Sequence, residues 1–271
     1  MKNVLKPGIG RRIGENNMMP HLLGGGPCLD TVFFPDNLIF RVSYLTDERA
    51  LMRMLPPGIK PAGEPIVTFM FRDARQLDWV AGGVAKLFGI YVPARFKGKR
   101  DDVRGAYWPV LWENDTMATV FGREVLGVAK MHAEISSAVC HDGIWRVQVS
   151  DAGGMLFSLR LGNFVTMAAE KFKSLRQEAL SAGVIGWKHI PSPDFSGTDL
   201  SYGIHMPSPS KIEEAWTGDA DLTFHDTDPQ VQIWSHQIMQ TLRRLPLKKN
   251  LGAVMLKGTG EHRVSKARVV Q

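Results

Sequence analysis

The chain of 271 residues has few cysteines and lacks any long apolar run. Cys28 and Cys140 are more than one hundred positions apart, so no CxxC pair exists for zinc or redox chemistry. No segment reaches the ~18–20 apolar residues that a membrane helix needs. The N-terminus has basic residues but lacks the apolar core of a secretory signal. We therefore predict a cytoplasmic protein with no membrane partner.

The sequence also lacks the common nucleotide, metal and nucleophile motifs. There is no GxxxxGK[ST] loop, no HExxH and no GxSxG, and the glycine clusters do not sit between a strand and a helix. The eight histidines are scattered along the chain. We predict that the protein uses neither a cofactor nor a metal.

Charge of one sign is only in small excess, with 33 Lys and Arg against 27 Asp and Glu. Eight of the basic residues lie between Arg243 and Gln271, where Glu261 is the only acid. Apolar residues interrupt this segment, and the basic–aromatic alternation of a single-strand binding face is missing. We predict no nucleic-acid partner, although such a basic rim would attract a small anionic substrate.

The hydrophobic pattern predicts a fold that is mainly β, of the mainly-β or α+β class. Helices are predicted after Thr46, over 78–89, over 168–182 and over 229–243. Short runs bounded by turn residues predict strands at 38–45, 65–72, 106–113, 116–122, 143–149, 154–161, 210–217, 221–225, 251–257 and 262–270. Without βαβ alternation, we expect an antiparallel cone-like β-barrel or a curled sheet with a few peripheral helices. Residues 1–27 are predicted to form an irregular arm and residues 28–271 a single domain.

Lys130 is the one side chain whose setting points to chemistry. It is the only lysine between Lys99 and Lys171, and its near neighbours Val128, Ala129 and Met131 are apolar. Burial would lower the pKa of such an amine, and a neutral amine attacks carbonyl carbons to form a Schiff base. The alternative is a lysine that extends to solvent from a strand edge.

The segment around this lysine resembles a known family, the acetoacetate decarboxylases. Their signature is Gly-Arg-Glu, five further residues and the Schiff-base lysine, which here corresponds to Gly122, Arg123, Glu124 and Lys130. Further matches in the same order lie at 44–47, 105–107, 111–114, 214–218 and 245–247, so that the resemblance covers most of 38–257. It implies a keto-acid substrate, a Schiff base at Lys130 and a homo-oligomer.

The sequence departs from the family pattern around the lysine. The decarboxylases have a proline before the reactive lysine and a second lysine after it, where this chain has Ala129 and Met131. Without that cationic neighbour, desolvation alone is expected to lower the pKa of Lys130.

A second departure concerns the family's pocket residues. Its arginine falls near Asn37, and its two glutamates fall near Met70 and Leu87. The nearby polar residues that could substitute are Arg72, Asp73, Arg75 and Asp78.

These residues lead to three expectations about function. The first is decarboxylation of a β-keto acid through an imine at Lys130. The second is an aldolase-dehydratase that condenses a 2-keto acid with an aldehyde, and the third is a non-catalytic binder of small molecules. Glu113, Arg123 and Glu124 are the candidate supporting residues, with structural salt bridges as the alternative. In a strand, Arg123 and Glu124 would face opposite ways.

Overall fold

The computed structural model describes residues 30–271, which form a 15-stranded sheet with four α-helices. The strands are β1 Val32–Leu45, β2 Ile59–Pro61, β3 Ile66–Arg75, β4 Val84–Lys97, β5 Asp102–Glu113, β6 Lys130–His132, β7 Glu134–Ile135, β8 Val139–His141, β9 Ile144–Asp151, β10 Gly154–Thr166, β11 Gly183–Pro191, β12 Thr198–Pro207, β13 Ser210–Phe224, β14 Lys249–His262 and β15 Arg268–Val270. The helices are α1 Glu48–Met52, α2 Thr116–Glu124, α3 Ala169–Leu180 and α4 Ile233–Arg243. The predicted arm at 1–27 lies outside the described residues.

The strand order is β15-β12-β11-β5-β4-β3-β1-β14-β13-β10-β9-β7. β2, β6 and β8 pair beside this path with β4, β5 and β9. All neighbours are antiparallel except β5, which pairs in parallel with both β6 and β11. Over the described residues the sheet does not close, because β15 and β7 end the order without pairing with each other. The predicted fold class is therefore confirmed in its curled-sheet form.

The sheet curls around a core of aromatic side chains. β4 and β10 are five places apart in the strand order, yet the rings of Phe88 and Phe157 have centroids only 4.8 Å apart. Phe69 and Phe224, from β3 and β13, meet edge to face at 5.6 Å. These rings, with Trp112, come from one face of the strands, and burying that face stabilises the curl.

The opposite face of the central strands carries charged groups among apolar ones. Cross-strand pairing aligns Ile39 of β1, Arg72 of β3, Leu87 of β4 and Glu113 of β5 in one row. Because side chains alternate along a strand, these four share a face. A second apolar cluster that includes Met70, Leu111, Leu126, Val128 and Met206 covers part of it. Polar groups on this face are thus held in an apolar setting.

Two predicted elements around this region are wrong. Residues 116–122 form helix α2 instead of a strand, because the Asp115 carboxylate accepts a hydrogen bond from the Ala118 backbone N at 2.7 Å and caps the helix. The second half of the predicted helix at 78–89 is strand β4, since Gly82 and Gly83 adopt φ of 76° and 68° and turn the chain into that strand.

Smaller differences concern element boundaries. The predicted pair 210–217 and 221–225 is one continuous strand, β13. The helix predicted after Thr46 is α1, which Asp47 caps. The hairpin β9–β10 and the helices α3 and α4 are confirmed. Within residues 30–271, no helix combines the length and the apolar character required to cross a bilayer.

Candidate active site

The segment between α2 and β6 holds Lys130 against strand β5. The Val128 backbone N donates to the Gly122 carbonyl at 3.0 Å, and the Leu111 N donates to the Ala129 carbonyl at 3.0 Å. Gly127 adopts φ of 65°, and its carbonyl accepts a 2.7 Å hydrogen bond from the Trp187 N of β11. The turn is therefore fixed by backbone hydrogen bonds at both ends, and Lys130 begins β6 directly beside β5.

Lys130 and Glu113 form a close ion pair on the charged face of the sheet. The Lys130 Nζ lies 2.6 Å from Glu113 Oε2 and donates a second hydrogen bond to the Ala118 carbonyl at 3.0 Å. The side chains are 16% and 2% exposed. In addition to the apolar neighbours seen in the sequence, a buried carboxylate is thus in contact with the amine. This carboxylate is in position to accept a proton from the amine.

Gly122 provides the space that the lysine side chain occupies. A Cβ at this position would lie 2.5 Å from both Cδ and Cε of Lys130 and 3.0 Å from Nζ. Since those distances are far below van der Waals contact, any larger residue at 122 would displace the amine. A glycine is therefore required at position 122 of the Gly-Arg-Glu segment for steric reasons.

Arg123 and Glu124 lie at the end of helix α2, not in a strand, so their predicted strand geometry is wrong. Arg123 is exposed, and its guanidinium donates to the Lys130 backbone carbonyl at 3.0 Å, away from the amine. Glu124 is half-buried, and the carboxylate paired with the amine is that of Glu113. Of the four candidate residues, the structure brings only Lys130 and Glu113 into side-chain contact.

Arg72 and His262 complete the charged face, and sequence reasoning missed His262. Desolvation lowers the pKa of Arg72 to about 10, and the negative charge of Glu113 opposes this shift. Burial, followed by the positive charges of Arg72 and Lys130, lowers the pKa of His262 well below its usual value. His262 is therefore neutral near pH 7, and its Nδ1 lies 2.7 Å from Ser208 Oγ. No local motif marks His262 as a site residue, because it reaches the site only through the pairing of β14 with β1.

The other polar residues suggested as substitutes lie elsewhere. Asp73 and Arg75 lie on the opposite face of β3 from Arg72, and they form an ion pair with each other at 2.9 Å. Asp78 is exposed beyond the end of β3. Met70 and Leu87 do lie on the charged face and are buried, so apolar side chains occupy the two positions matched to the family's glutamates.

A cavity adjoins this site between strands β1, β3, β13 and β14. Its volume is about 30 Å³, room for a group the size of a water molecule, and its wall includes Phe34, Asn37, Arg72, Ser208 and His262. Residues 256–262 of β14 complete one side, so part of the basic C-terminal segment lines the cavity. Other basic residues of that segment are in surface ion pairs, such as Arg243 with Asp226 and Arg268 with Asp101.

No group of three or more His, Cys, Asp or Glu side chains within residues 30–271 is arranged to hold a metal ion. The arrangement that is present, an amine in contact with a carboxylate beside a cation and a neutral imidazole, is suited to carbonyl chemistry with proton transfer.

Solved structures of similar fold come from acetoacetate decarboxylases and a related enzyme. An acetoacetate decarboxylase structure has a TM-score of 0.72 and 18% identity over 98% of each chain. The acetoacetate decarboxylase of Legionella pneumophila has a TM-score of 0.71 and 20% identity over 89% of this chain and 87% of that one. The enduracididine biosynthesis enzyme MppR, complexed with the condensation product of pyruvate and imidazole 4-carboxaldehyde, has a TM-score of 0.64 and 17% identity over 88% of each chain.

No curated protein sequence matches the chain. The family model described as acetoacetate decarboxylase matches residues 26–270, which is nearly the whole sequence and includes every residue of the site. The chain therefore belongs to the acetoacetate decarboxylase family.

Proposed function

We propose that the protein is a Schiff-base-forming lyase that decarboxylates a β-keto acid, with Lys130 as the nucleophile. The observation that carries this proposal is the 2.6 Å contact between the Lys130 amine and the Glu113 carboxylate in a largely buried site. An amine so placed has a proton acceptor within reach, which is what an attack on a carbonyl requires.

The proposed reaction begins when Glu113 takes a proton from Lys130. The neutral amine attacks the ketone carbon, and the resulting carbinolamine loses its oxygen as water, using a proton that Glu113 returns. The protonated imine then accepts the electron pair of the breaking carbon–carbon bond as carbon dioxide leaves. Protonation of the enamine carbon and hydrolysis of the imine release the ketone and regenerate Lys130.

Aldolase-dehydratase action on a 2-keto acid is the second candidate. It is favoured by the same carboxylate, because aldol addition and dehydration need a positioned acid–base group beside the imine. The MppR structure shows that a protein of this fold holds a condensation product of pyruvate and an aldehyde. In this reaction Glu113 would remove a proton from the imine of pyruvate and form the enamine that attacks the aldehyde.

Borohydride trapping tests both reactions. The protein is incubated with β-keto acids or with pyruvate, reduced, and searched for adducts by peptide mass spectrometry. We expect an adduct on Lys130, with carbon dioxide released if the first reaction is correct and an added aldehyde consumed if the second is correct. Lys130→Ala should abolish adduct and turnover, whereas Lys173→Ala on the exposed side of α3 should change neither.

Absence of any adduct at Lys130 across the panel would overturn both enzyme proposals. The expectation of a non-catalytic binder would then remain, and ligand binding that survives in Lys130→Ala would support it.

A further inference from the structure

The guanidinium of Arg72 can bind an anion, and no residue within 30–271 accepts a hydrogen bond from its Nε. Arg72 Nε is buried and has no hydrogen-bond partner among the described residues. Its Cζ lies 4.1 Å from the centroid of the Phe34 ring, so an aromatic side chain covers one face of the guanidinium. Stacking of this kind leaves the N–H groups at the edge of the plane free to donate, and this edge geometry matches a carboxylate.

Two acids near Arg72, Glu113 on the same face and Glu261 in the cavity wall, are engaged with other cations. Glu113 influences Arg72 through space, but its carboxylate is in contact with the Lys130 amine. Glu261 also lines the cavity, and it accepts a 2.6 Å hydrogen bond from Arg263. The positive charge of Arg72 is thus only partly balanced by its surroundings.

The remaining walls of the cavity offer neutral hydrogen-bonding groups. The Asn37 amide donates to the Phe34 and Gly258 carbonyls, while its Oδ1 is buried without a partner among the described residues. His262 is held neutral, and its Nδ1 bonds with Ser208. The wall also includes a second cation, Lys257, which is exposed and whose Nζ lies 5.6 Å from the centroid of the Trp216 ring. Arg72, whose Nε is buried, is therefore the cation placed inside the cavity.

We propose that Arg72 binds a carboxylate of the substrate that the reaction retains, and that the substrate is a keto diacid. This inference rests on the proposed Schiff-base decarboxylation at Lys130. One carboxylate leaves from the carbon beside the imine, and the second lies in the cavity against the edge of the Arg72 guanidinium.

The leaving carboxylate is a poor partner for Arg72 on energetic grounds. Its negative charge moves into the imine as the carbon–carbon bond breaks, and it departs as neutral carbon dioxide. A cation paired with it would stabilise the substrate more than the transition state and would slow the reaction. A retained carboxylate keeps its charge throughout, so the same ion pair contributes binding and orientation without that penalty.

The test compares 3-oxoadipate with 3-oxohexanoate, which carries a methyl group where the diacid has its distal carboxylate. We expect the unmodified protein to favour the diacid in kcat/KM by at least about tenfold, the effect of one hydrogen-bonded charge pair. In Arg72→Met this preference should fall to within about threefold through loss of activity on the diacid alone. Arg75→Lys, on the same strand but on the opposite face, should keep the preference.

Two further measurements separate the possible failures. Acetone carries no carboxylate, so borohydride trapping of acetone on Lys130 reports imine formation in every variant, and circular dichroism reports folding. Equal kcat/KM for the two acids, or a preference that survives in Arg72→Met, would overturn the Arg72 proposal while leaving the lyase proposal intact.

If neither acetone nor any keto acid of the panel is trapped on Lys130 in the unmodified protein, the lyase proposal fails, and ligand binding becomes the test of the Arg72 proposal. Calorimetric titration then compares 4-oxopentanoate, the diacid's decarboxylation product, with 2-pentanone, the product of the monoacid. Tighter binding of 4-oxopentanoate that is lost in Arg72→Met would support the carboxylate site, and no difference would contradict it.

Discussion

The two faces of strands β3 and β5 differ in the side chains they carry and in the contacts those side chains make. Phe71 and Trp112 point into the aromatic core, while Arg72 and Glu113, the next residue on each strand, point to the charged face. The core face holds rings in mutual contact and gains stability from their burial. The charged face holds an ion pair, a neutral histidine and an arginine whose Nε has no partner among residues 30–271. One face therefore supports the fold, and the other carries groups suited to a reaction.

The largest expected effect distinguishes the two faces by stability. Phe71→Ala should lower the free energy of unfolding by about 3–5 kcal/mol, because it leaves a cavity beside Phe40 in the packed core. Arg72→Met should change it by no more than about 1 kcal/mol, since replacing a partly desolvated charge by an apolar side chain of similar size is often neutral. Urea unfolding followed by tryptophan fluorescence measures both. Equal losses would contradict the contrast between the faces.

The second prediction concerns the acid–base group. Glu113→Gln keeps the shape of the side chain but removes the proton acceptor, so we expect the rate of imine trapping and turnover to fall by about 100-fold or more. Glu124→Gln should have a smaller effect, because Glu113 is the carboxylate in contact with the amine. Glu134→Gln on the exposed edge of β7 is the matched control. An unchanged trapping rate in Glu113→Gln would remove Glu113 from the mechanism.

The third prediction tests the steric role of Gly122. Gly122→Ala places a methyl group on the path of the Lys130 side chain, and we expect turnover to fall by about 10- to 100-fold through misplacement of the amine. Gly197→Ala is the control, because its Cβ would meet only Ser192 Oγ at 3.7 Å. Single-turnover trapping kinetics measure the loss. A variant with normal kinetics would show that the amine tolerates displacement.

The smallest expected effect is a pH dependence from His262. Its pKa is lower in the folded protein than in the unfolded chain, where it is about 6.5, so the unfolded state takes up the proton first as the pH falls. The contribution of His262 to stability is thus present above about pH 6.5. It is lost on acidification towards the lowered pKa, by at most ~1.4 kcal/mol per pH unit.

Urea unfolding at pH 7 and pH 5 checks this dependence. The fall in stability between the two should be shallower in His262→Asn than in the unmodified protein. His141→Asn should behave like the unmodified protein, because His141 is exposed on β8. Identical slopes in all three proteins would assign the pH dependence to other groups.

Much of the fold could be predicted from local pattern. The β9–β10 hairpin and helices α3 and α4 were predictable because alternation, turn residues and helical spacing act over a few neighbouring positions. Helix α2 was missed because it has only nine residues and includes the β-branched Thr116, Thr119 and Val120, which favour strands. The signal that forms this helix is the cap at Asp115. The predicted arm and single domain remain predictions, as does the homo-oligomer.

The site was predictable only where its residues are close in sequence. Gly122 and Lys130 fall within one motif, so the reactive amine and the glycine beside it could be named together. Arg72 could be named only as one of several polar candidates. His262 could not be found, because it is far from both Arg72 and Lys130 in sequence. Pairing between β1 and β3 and between β1 and β14 brings these two side chains to the same cavity.

The sequence by itself determined the family, the strand-rich fold class and Lys130 as the candidate nucleophile, because each depends on short patterns that survive without knowledge of the contacts. Only the tertiary structure decided which carboxylate touches the amine and which arginine faces the cavity. The physical reason is that strand register sets the face on which a side chain lies, and a shift of one residue would move Arg72 and Glu113 to the other side. Register depends on pairing between distant segments, which no local pattern specifies.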